Sequence, residues 1–134
     1  MLPPDFWLTD TVEYRAGRWA NRLARGDPVG WSIVATVDGV VVGFAQVGPA
    51  RTKHGLVPVH ETELMSLYLH PDHHGSGVAS ALLDTCLPGA CPADLWTAHP
   101  NPRAQAFYSK HGFARDGAVF IDDHGITEVR MIRS

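Results

Sequence analysis

The sequence predicts an α+β (mixed α/β) domain built on one sheet. Three observations carry this prediction: an Asp-Gly turn between β-rich runs at Trp31–Val37 and Val40–Val47, a strand that ends in a glycine-rich turn before a helix, and a hairpin near the C-terminus. Helices that alternate with such strands pack on a shared sheet. The 134 residues suffice for one hydrophobic core and not for two, so residues 1–134 are interpreted as a single domain.

The first half of the chain has one helix followed by a hairpin. Apolar residues at helical spacing predict a helix over about Val12–Leu23, which Gly26-Asp27-Pro28 ends. Asp38-Gly39 supplies the two positive-φ residues that a tight hairpin turn needs. Because Val40–Val47 is nearly all apolar, we expect it to be an inner strand covered on both faces.

The second half alternates strands and helices. A strand over Glu63–Leu69 stops at Pro71, and Gly75-Ser76-Gly77 leads into a helix over about Val78–Cys86. The remaining predicted elements are a strand at about Asp94–Ala98, a helix at about Pro102–His111 that stops at Gly112, and a hairpin of Gly117–Ile121 and Ile126–Ile132 around the turn Asp122-Asp123-His124-Gly125.

Charge and hydropathy exclude several classes of function. The net charge of -3 and the isoelectric point near 6.2 argue against a nucleic-acid binder, which needs a basic face. No apolar run approaches the roughly 20 residues of a membrane helix, and the scattered Lys and Arg residues form no polybasic patch. Since the first residues lack the pattern of a signal peptide, we expect a cytoplasmic protein that binds neither nucleic acid nor membrane.

The cysteines and histidines indicate neither a disulfide framework nor a metal site. Cys86 continues the apolar pattern of its helix and is interpreted as a core residue, and Cys91 falls in a Pro- and Gly-containing connection. His70 and His74 have His-x-x-x-His spacing, which converges on one metal ion only in a helix, and Pro71 disfavours a helix there. The expectation is therefore that no metal is bound.

The glycine-rich turn after the third predicted strand is the most informative segment. Gly75-Ser76-Gly77 exposes successive backbone N–H groups at the start of a helix, which is the geometry of an anion site. An ordinary tight turn remains an equally good interpretation of these residues alone. A dinucleotide-binding turn ranks low because no acidic residue ends the next strand, and a Walker-type loop is excluded because no Lys-Ser or Lys-Thr follows.

Two motifs in this region resemble the GNAT superfamily of N-acetyltransferases. His74-Gly75-Ser76-Gly77-Val78-Ala79 is similar to the family's Gln/Arg-x-x-Gly-x-Gly/Ala signature, with His74 where Gln or Arg is usual. The segment Asn101–Phe113 resembles its Asn-x-x-Ala-x-x-Phe-Tyr-x-x-x-Gly-Phe motif. The resemblance covers about residues 12–133 and is strongest over Glu63–Phe113. It implies a GNAT-like fold, which is a single mixed, mostly antiparallel sheet with helices on both faces, and acetyl-CoA as the acyl donor.

The resemblance implies a role for each site residue. Glu63 lies where related enzymes carry a glutamate base, with Glu61 as its substitute, and Tyr108 lies at the general-acid position. A solvated carboxylate and a packed helix tyrosine are the structural alternatives. The residues implied in acetyl-CoA binding are the backbone of Leu67, Tyr68 and Leu69, whose side chains we expect in the core, then His74, Gly75, Ser76, Gly77, Val78, Ala79 and Ser80, and finally Asn101.

Two of these assignments stay open, together with the acceptor loop. Asn101 either lies near the pantetheine arm or caps the helix that starts at Pro102, and Ser80 is equally well an ordinary surface serine. The loop before the third predicted strand carries the basic residues Arg51, Lys53, His54 and His60. The family builds part of its acceptor site in this region. A charged loop of this kind is more commonly just solvated.

The N-terminus looks shorter than the family pattern. Family members begin with a strand and a helix before the element placed at Val12, so this first strand and this helix are both expected to be missing. Without it, Trp31–Val37 would be an unprotected sheet edge. We therefore expect either that Leu2–Leu8 folds over this edge or that the protein forms a homodimer through it.

The function that follows is an acetyl-CoA-dependent N-acetyltransferase. It would move an acetyl group to a primary amine of a small molecule or peptide by direct transfer in a ternary complex, because no cysteine is placed to form an acyl-enzyme. The alternative is a catalytically inactive acyl-CoA-binding or regulatory module of the same fold. The sequence does not identify the acceptor.

Overall fold

The computed structural model describes residues 6–10 and 30–134, and for residues 6–10 it describes the backbone alone. The helix predicted at Val12–Leu23 lies outside these residues. The strands are β1 (Phe6–Asp10), β2 (Trp31–Val37), β3 (Val40–Pro49), β4 (Thr62–Leu69), β5 (Ala93–His99), β6 (Ala114–Ile121) and β7 (Thr127–Arg133), and the α-helices are α1 (Val78–Cys86) and α2 (Pro102–Lys110). Among the described residues, no helix has the length and apolarity needed to cross a membrane.

Of the described residues, the first of two compact units takes 6–10, 30–49 and 65–89. Strand β2 pairs antiparallel with both β1 and β3, and β3 neighbours β4. Helix α1 packs against β2 and β3 because its apolar positions recur on one face. The buried apolar residues of this unit are Ala35, Val42, Ala45, Val47, Leu69, Val78, Leu82, Leu83, Cys86 and Leu87.

The second unit takes residues 50–64 and 90–134. The start of β4 runs parallel to β5, with Glu63 opposite Asp94, while β7 pairs antiparallel with β5 and β6. Helix α2 packs against β5. The buried apolar residues of this unit are Leu64, Ala93, Leu95, Phe113, Val129 and Met131.

Most of the predicted elements are confirmed. Asp38 and Gly39 have φ values of 52° and 77°, so both adopt the left-handed backbone that the predicted hairpin turn requires. Helix α1 has the predicted bounds, and Gly112, with φ of 90°, follows α2. Cys86 is fully buried, as predicted. The mixed α/β class with mostly antiparallel strands is therefore confirmed.

The expectation that the first strand is missing is wrong. Strand β1 pairs antiparallel with β2 from Phe6 opposite Val37 to Asp10 opposite Ile33. The short segment Phe-Trp-Leu-Thr-Asp is rich in β-forming residues, and an unpaired β2 edge offers it a full row of hydrogen-bonding groups. Residues 6–8 thus cover the edge of β2, as the first of the two expectations for Leu2–Leu8 states, and the argument for a homodimer through this edge no longer applies.

The expectation that β3 is covered on both faces is also wrong. Ala45 and Val47 are fully buried, yet Val40 and Val41 are 62% and 61% exposed, and Phe44 is exposed at the surface. The covered face is the one that packs on α1. Tyr68, whose side chain was expected in the core, is half-exposed, and its ring centroid lies 5.9 Å from that of Phe44.

Candidate active site

The segment between β4 and α1 is a tightly wound loop. Pro71–His73 forms a turn of 3-10 helix in which His73 N–H donates to the carbonyl of His70 at 2.9 Å. Ser76 N–H then donates to the carbonyl of His73 at 3.2 Å. Gly75 and Gly77 follow with φ values of 78° and 88°, a left-handed backbone that a side chain would strain. The sequence of the loop thus sets the direction in which the chain enters the helix.

Helix α1 begins at Val78 without a side-chain cap. Gly77 is its N-cap residue, and the Val78 N–H reaches the hydroxyl of Ser76 only at 3.4 Å. An uncapped helix start presents backbone N–H groups together with the positive end of the helix dipole. Gly75 and Gly77 are exposed, so an anion can approach these groups from solvent.

His74 turns back toward the end of β4. Its Nε2 lies 3.2 Å from the carbonyl oxygen of Leu69. A carbonyl oxygen only accepts, so Nε2 carries the hydrogen in this contact. His74 thereby links the end of β4 to the glycine-rich loop, at the position where the family signature has Gln or Arg.

Glu63, the candidate base, is held by Arg51 in the second unit. Arg51 Nη2 lies 2.8 Å from Glu63 Oε2, and Arg51 donates to Oε1 from its backbone N–H at 3.1 Å and from Nε at 3.4 Å. Glu63 is 3% exposed, whereas the Arg51 side chain is 54% exposed. The hydrogen bond to Glu63 outweighs burial and raises the pKa of the Arg51 guanidinium above its ordinary value. The pair is therefore a fixed cation and carboxylate at the start of β4.

Tyr108 and Asn101, the other candidate residues of the second unit, belong to helix α2 and its start. The Tyr108 ring packs edge-on against Phe107 and Phe113, with centroid distances of 5.4 and 6.0 Å. Asn101 Oδ1 accepts from the Ala104 N–H at 3.3 Å, so Asn101 caps α2, as one of its two interpretations predicts.

A cluster of aromatic and charged side chains surrounds Trp96 in the second unit, and we call it the Trp96 cluster. His54 stacks on Phe120 with ring centroids 3.6 Å apart, and its Nε2 lies 2.7 Å from Glu128 Oε2. Lys53 Nζ lies 3.6 Å from Glu128 Oε1 and 5.8 Å from the centroid of the Trp96 ring. The cluster therefore combines an aromatic face with a carboxylate, the two groups that attract an organic cation.

A second arrangement in this unit is built around the buried Asp94. The Asp94 carboxylate accepts from the backbone N–H of Val59 at 2.7 Å and contacts His60 Nδ1 at 2.8 Å. His60 Nε2 lies 3.2 Å from the hydroxyl of Ser134. A cleft of about 760 Å³ opens beside His60, and its lining residues are Ala50, Pro58, Val59, His60, Glu61, Thr62, Cys91 and Pro92. Asp94 thus fixes the loop that leads into β4.

Comparison with known proteins places this sequence in a family. Residues 2–113 match the model of the acetyltransferase (GNAT) family. The chain belongs to the GNAT acetyltransferase family.

Relatives of this GNAT chain include named acyltransferases. It is 35% identical over 107 residues to an uncharacterized N-acetyltransferase of Mycobacterium tuberculosis, a match covering 76% of this chain and 63% of that protein. It is 31% identical over 109 residues to the L-amino acid N-acyltransferase MnaT of Escherichia coli, covering 78% of this chain and 60% of that protein. The matched region thus spans less than two thirds of the length of either relative.

A solved structure shows the same fold. Arabidopsis thaliana Naa50, in complex with the bisubstrate analogue CoA-Ac-MVNAL, superposes with a TM-score of 0.66 over 97% of this chain and 99% of that chain. The two sequences are 16% identical, so the likeness concerns the fold.

The predicted site residues of this GNAT chain fall in both units. The glycine-rich loop and the end of β4 lie in the first unit, and Glu63, Tyr108 and Asn101 lie in the second. No three His, Cys, Asp or Glu side chains in the described part of the chain are grouped as a metal site requires.

Sequence reasoning did not single out the central residues of the Trp96 cluster. It named Lys53 and His54 only as part of a basic loop and passed over Trp96, Phe120 and Glu128. One local signal was present: His54-Gly55 forms a tight turn, with φ values of 57° and 75°, that brings Lys53 opposite Leu56. The other partners come from β5, β6 and β7, and their proximity depends on sheet pairing.

Proposed function

We propose that this GNAT chain is an acetyl-CoA-dependent N-acetyltransferase. It moves an acetyl group to a primary amine of a small molecule or peptide by direct transfer in a ternary complex. The observation that carries the proposal is the exposed Gly75–Gly77 loop at the uncapped start of α1, which suits a pyrophosphate. The names of the relatives, which include N-acetyltransferase and L-amino acid N-acyltransferase, support this class of reaction.

The residues of the first unit fit the donor half of the reaction. A coenzyme A pyrophosphate would receive hydrogen bonds from the exposed loop and from the first turn of α1, with residues 74–80 as its binding segment. The backbone of Leu67, Tyr68 and Leu69 at the end of β4 would pair with the pantetheine amides as an added strand does. The solved Naa50 complex contains a CoA-linked analogue, which supports acetyl-CoA as the donor for this fold.

The residues proposed for chemistry divide the proton transfers between them. The acceptor's ammonium loses a proton to Glu63 through a water molecule, because Arg51 already contacts both carboxylate oxygens. The neutral nitrogen attacks the thioester carbonyl, a C–N bond forms, and the C–S bond breaks. The thiolate that leaves takes the proton of the Tyr108 hydroxyl, and the attacking nitrogen releases its second proton to the Tyr108 oxygen as the amide forms. Arg51 holds the Glu63 carboxylate in one orientation during this sequence.

A transfer assay with matched variants tests this function. The protein is mixed with acetyl-CoA and a panel of amines that includes amino acids, a polyamine and a dipeptide with a free N-terminus, and release of the CoA thiol is followed. We expect Tyr108→Phe to lower kcat about 100-fold while acetyl-CoA affinity is unchanged. Phe107→Leu, which removes a packing neighbour of Tyr108, should lower stability and leave kcat within about threefold. An unchanged kcat in Tyr108→Phe would remove Tyr108 from the mechanism, and acetyl-CoA that binds without any transfer across the panel would favour the inactive binding module.

A further inference from the structure

We propose that Trp96 and Glu128 form a subsite for an alkylammonium group that the acceptor carries in addition to the amine that reacts, and that the chain's own Lys53 occupies this subsite when no acceptor is bound. The inference rests on the proposed function, because only a transferase has an acceptor. The class of acceptor that it names carries, besides the amine that reacts, a second primary ammonium on an alkyl chain, which is the chemistry of the lysine side chain itself.

The position of Lys53 is the first observation. Its ammonium lies 3.6 Å from Glu128 Oε1 and 5.8 Å from the centroid of the Trp96 ring. A carboxylate and an indole face are the two groups that bind an alkylammonium most strongly among protein side chains. The side chains of Lys53 and Glu128 are 29% and 30% exposed, so an external ammonium can reach the same place.

The carboxylate of this subsite is held in place without help from Lys53. His54 Nε2 contacts Glu128 Oε2 at 2.7 Å, and the His54 ring is stacked on Phe120 and edge-on to Trp96. Oε1, the other oxygen of Glu128, faces Lys53. The subsite is therefore already formed and retains its shape when Lys53 leaves.

The two cations near Trp96 differ in how firmly they are held. The Arg130 guanidinium lies 5.7 Å from the Trp96 centroid, and it is anchored by Asp116 Oδ2 at 2.6 Å and by the carbonyl of Val57 at 2.9 Å. Lys53 approaches the cluster with a flexible side chain and a single, part-exposed ion pair. Such an ion pair contributes little free energy. An external ammonium can therefore displace the Lys53 side chain, and this competition lowers the affinity for the external ammonium by about fivefold or less.

The backbone of Lys53 stays fixed while its side chain moves. Lys53 N–H donates to the Leu56 carbonyl at 3.1 Å, and Leu56 N–H donates to the Lys53 carbonyl at 2.9 Å. This two-residue turn keeps His54 on Phe120. Lys53 can therefore swing out without a rearrangement of the loop.

A binding experiment without acetyl-CoA tests the inference. n-Butylammonium chloride is titrated into the protein, and the indole N–H resonance of Trp96, assigned with Trp96→Phe, is followed by NMR. We expect Lys53→Met to bind the probe about fivefold more tightly than the unsubstituted protein, because the competing ammonium is gone. Lys110→Met is the matched control, since Lys110 is the only other lysine of the chain and is exposed at the end of α2, and it should leave the affinity unchanged.

Glu128→Gln should have the opposite effect on the affinity for n-butylammonium. It removes the charge that attracts the ammonium and should weaken the binding of the probe about fivefold relative to the unsubstituted protein. Equal affinities in Lys53→Met and the unsubstituted protein, or no shift of the Trp96 resonance in either, would overturn the inference. If amines are acetylated in the transfer assay while butylammonium leaves Trp96 unchanged, the inference fails and the proposed function stands. A protein that binds no acetyl-CoA loses the proposed function instead.

Discussion

Arg51 contacts both oxygens of the Glu63 carboxylate, with Nη2 2.8 Å from Oε2 and the backbone N–H 3.1 Å from Oε1. The carboxylate is buried at the start of β4, while the guanidinium reaches solvent. A buried carboxylate without a partner is far less stable than a paired one. The loop before β4 therefore depends on this pair, and so does the orientation of the proposed base.

Removal of Arg51 should destabilise the protein. Arg51→Ala leaves Glu63 buried with only a backbone donor, and we expect the free energy of unfolding in urea to fall by about 1–3 kcal/mol. Arg115→Ala, at an exposed position of β6, is the control and should change it by less than about 0.5 kcal/mol. In the double variant Arg51→Ala/Glu63→Gln, much of the lost stability should return, and an additive loss would contradict the pairing.

Separate substitution of two glutamates that lie two residues apart, Glu61 and Glu63, tests which of them is the base. Glu63→Gln should lower kcat about 100-fold at neutral pH, because the amide cannot accept the ammonium proton. Glu61→Gln, at the exposed position two residues earlier, should leave kcat within about threefold. The reverse pattern in steady-state assays would assign the base to Glu61.

The close contact between β3 and β4 predicts that two glycine-to-alanine substitutions in β3 lower the stability of the protein by very different amounts. A Cβ on Gly43 would lie 2.6 Å from the Tyr68 carbonyl oxygen, and backbone cannot move away cheaply. A Cβ on Gly48 would lie 2.9 Å from the terminal methyl of Met65, which is flexible. In thermal unfolding, Gly43→Ala should cost about 2 kcal/mol or more and Gly48→Ala about 1 kcal/mol or less. Equal losses of stability in the two variants would show that the absence of a side chain at Gly43 is not needed for β3 and β4 to pack this closely.

Substitution of Asn101 separates its two interpretations. Asn101→Asp keeps an oxygen that can accept from the Ala104 N–H, whereas Asn101→Ala removes the cap and should cost about 1 kcal/mol of stability. If Asn101 only caps α2, both variants keep acetyl-CoA affinity. If its amide also binds pantetheine, Asn101→Asp keeps its stability and loses affinity, which calorimetry would detect.

Local patterns were sufficient to predict most elements of the fold. Asp38-Gly39 fixes a hairpin because both residues need positive φ, and the apolar spacing of Val78–Cys86 fixes a helix of the observed length. The same reasoning failed for β1, because five residues after two prolines have no periodicity of their own. Their pairing depends on the free edge of β2, which is a property of the sheet.

Exposure and long-range pairing were harder to predict than element type. The apolar run of β3 indicated burial, yet Phe44 and Tyr68 lie together at the surface on the face away from α1. Arg51 and Glu63 are twelve residues apart, and no local rule pairs them. For the same reason the Trp96 cluster could not be predicted, since its members come from a turn and three strands.

The central claim is that the Gly75–Gly77 loop binds the pyrophosphate of acetyl-CoA, and calorimetric titration of acetyl-CoA into the protein tests it most directly. We predict micromolar binding that is absent with NAD and at least about tenfold weaker in Gly77→Glu, because the new carboxylate would face the phosphates. Gly125→Glu is the matched control: Gly125 also has a positive φ, of 78°, it lies exposed in the β6–β7 turn, and its substitution should leave the affinity unchanged. No binding of acetyl-CoA, or equal binding by Gly77→Glu and the unsubstituted protein, would contradict the claim.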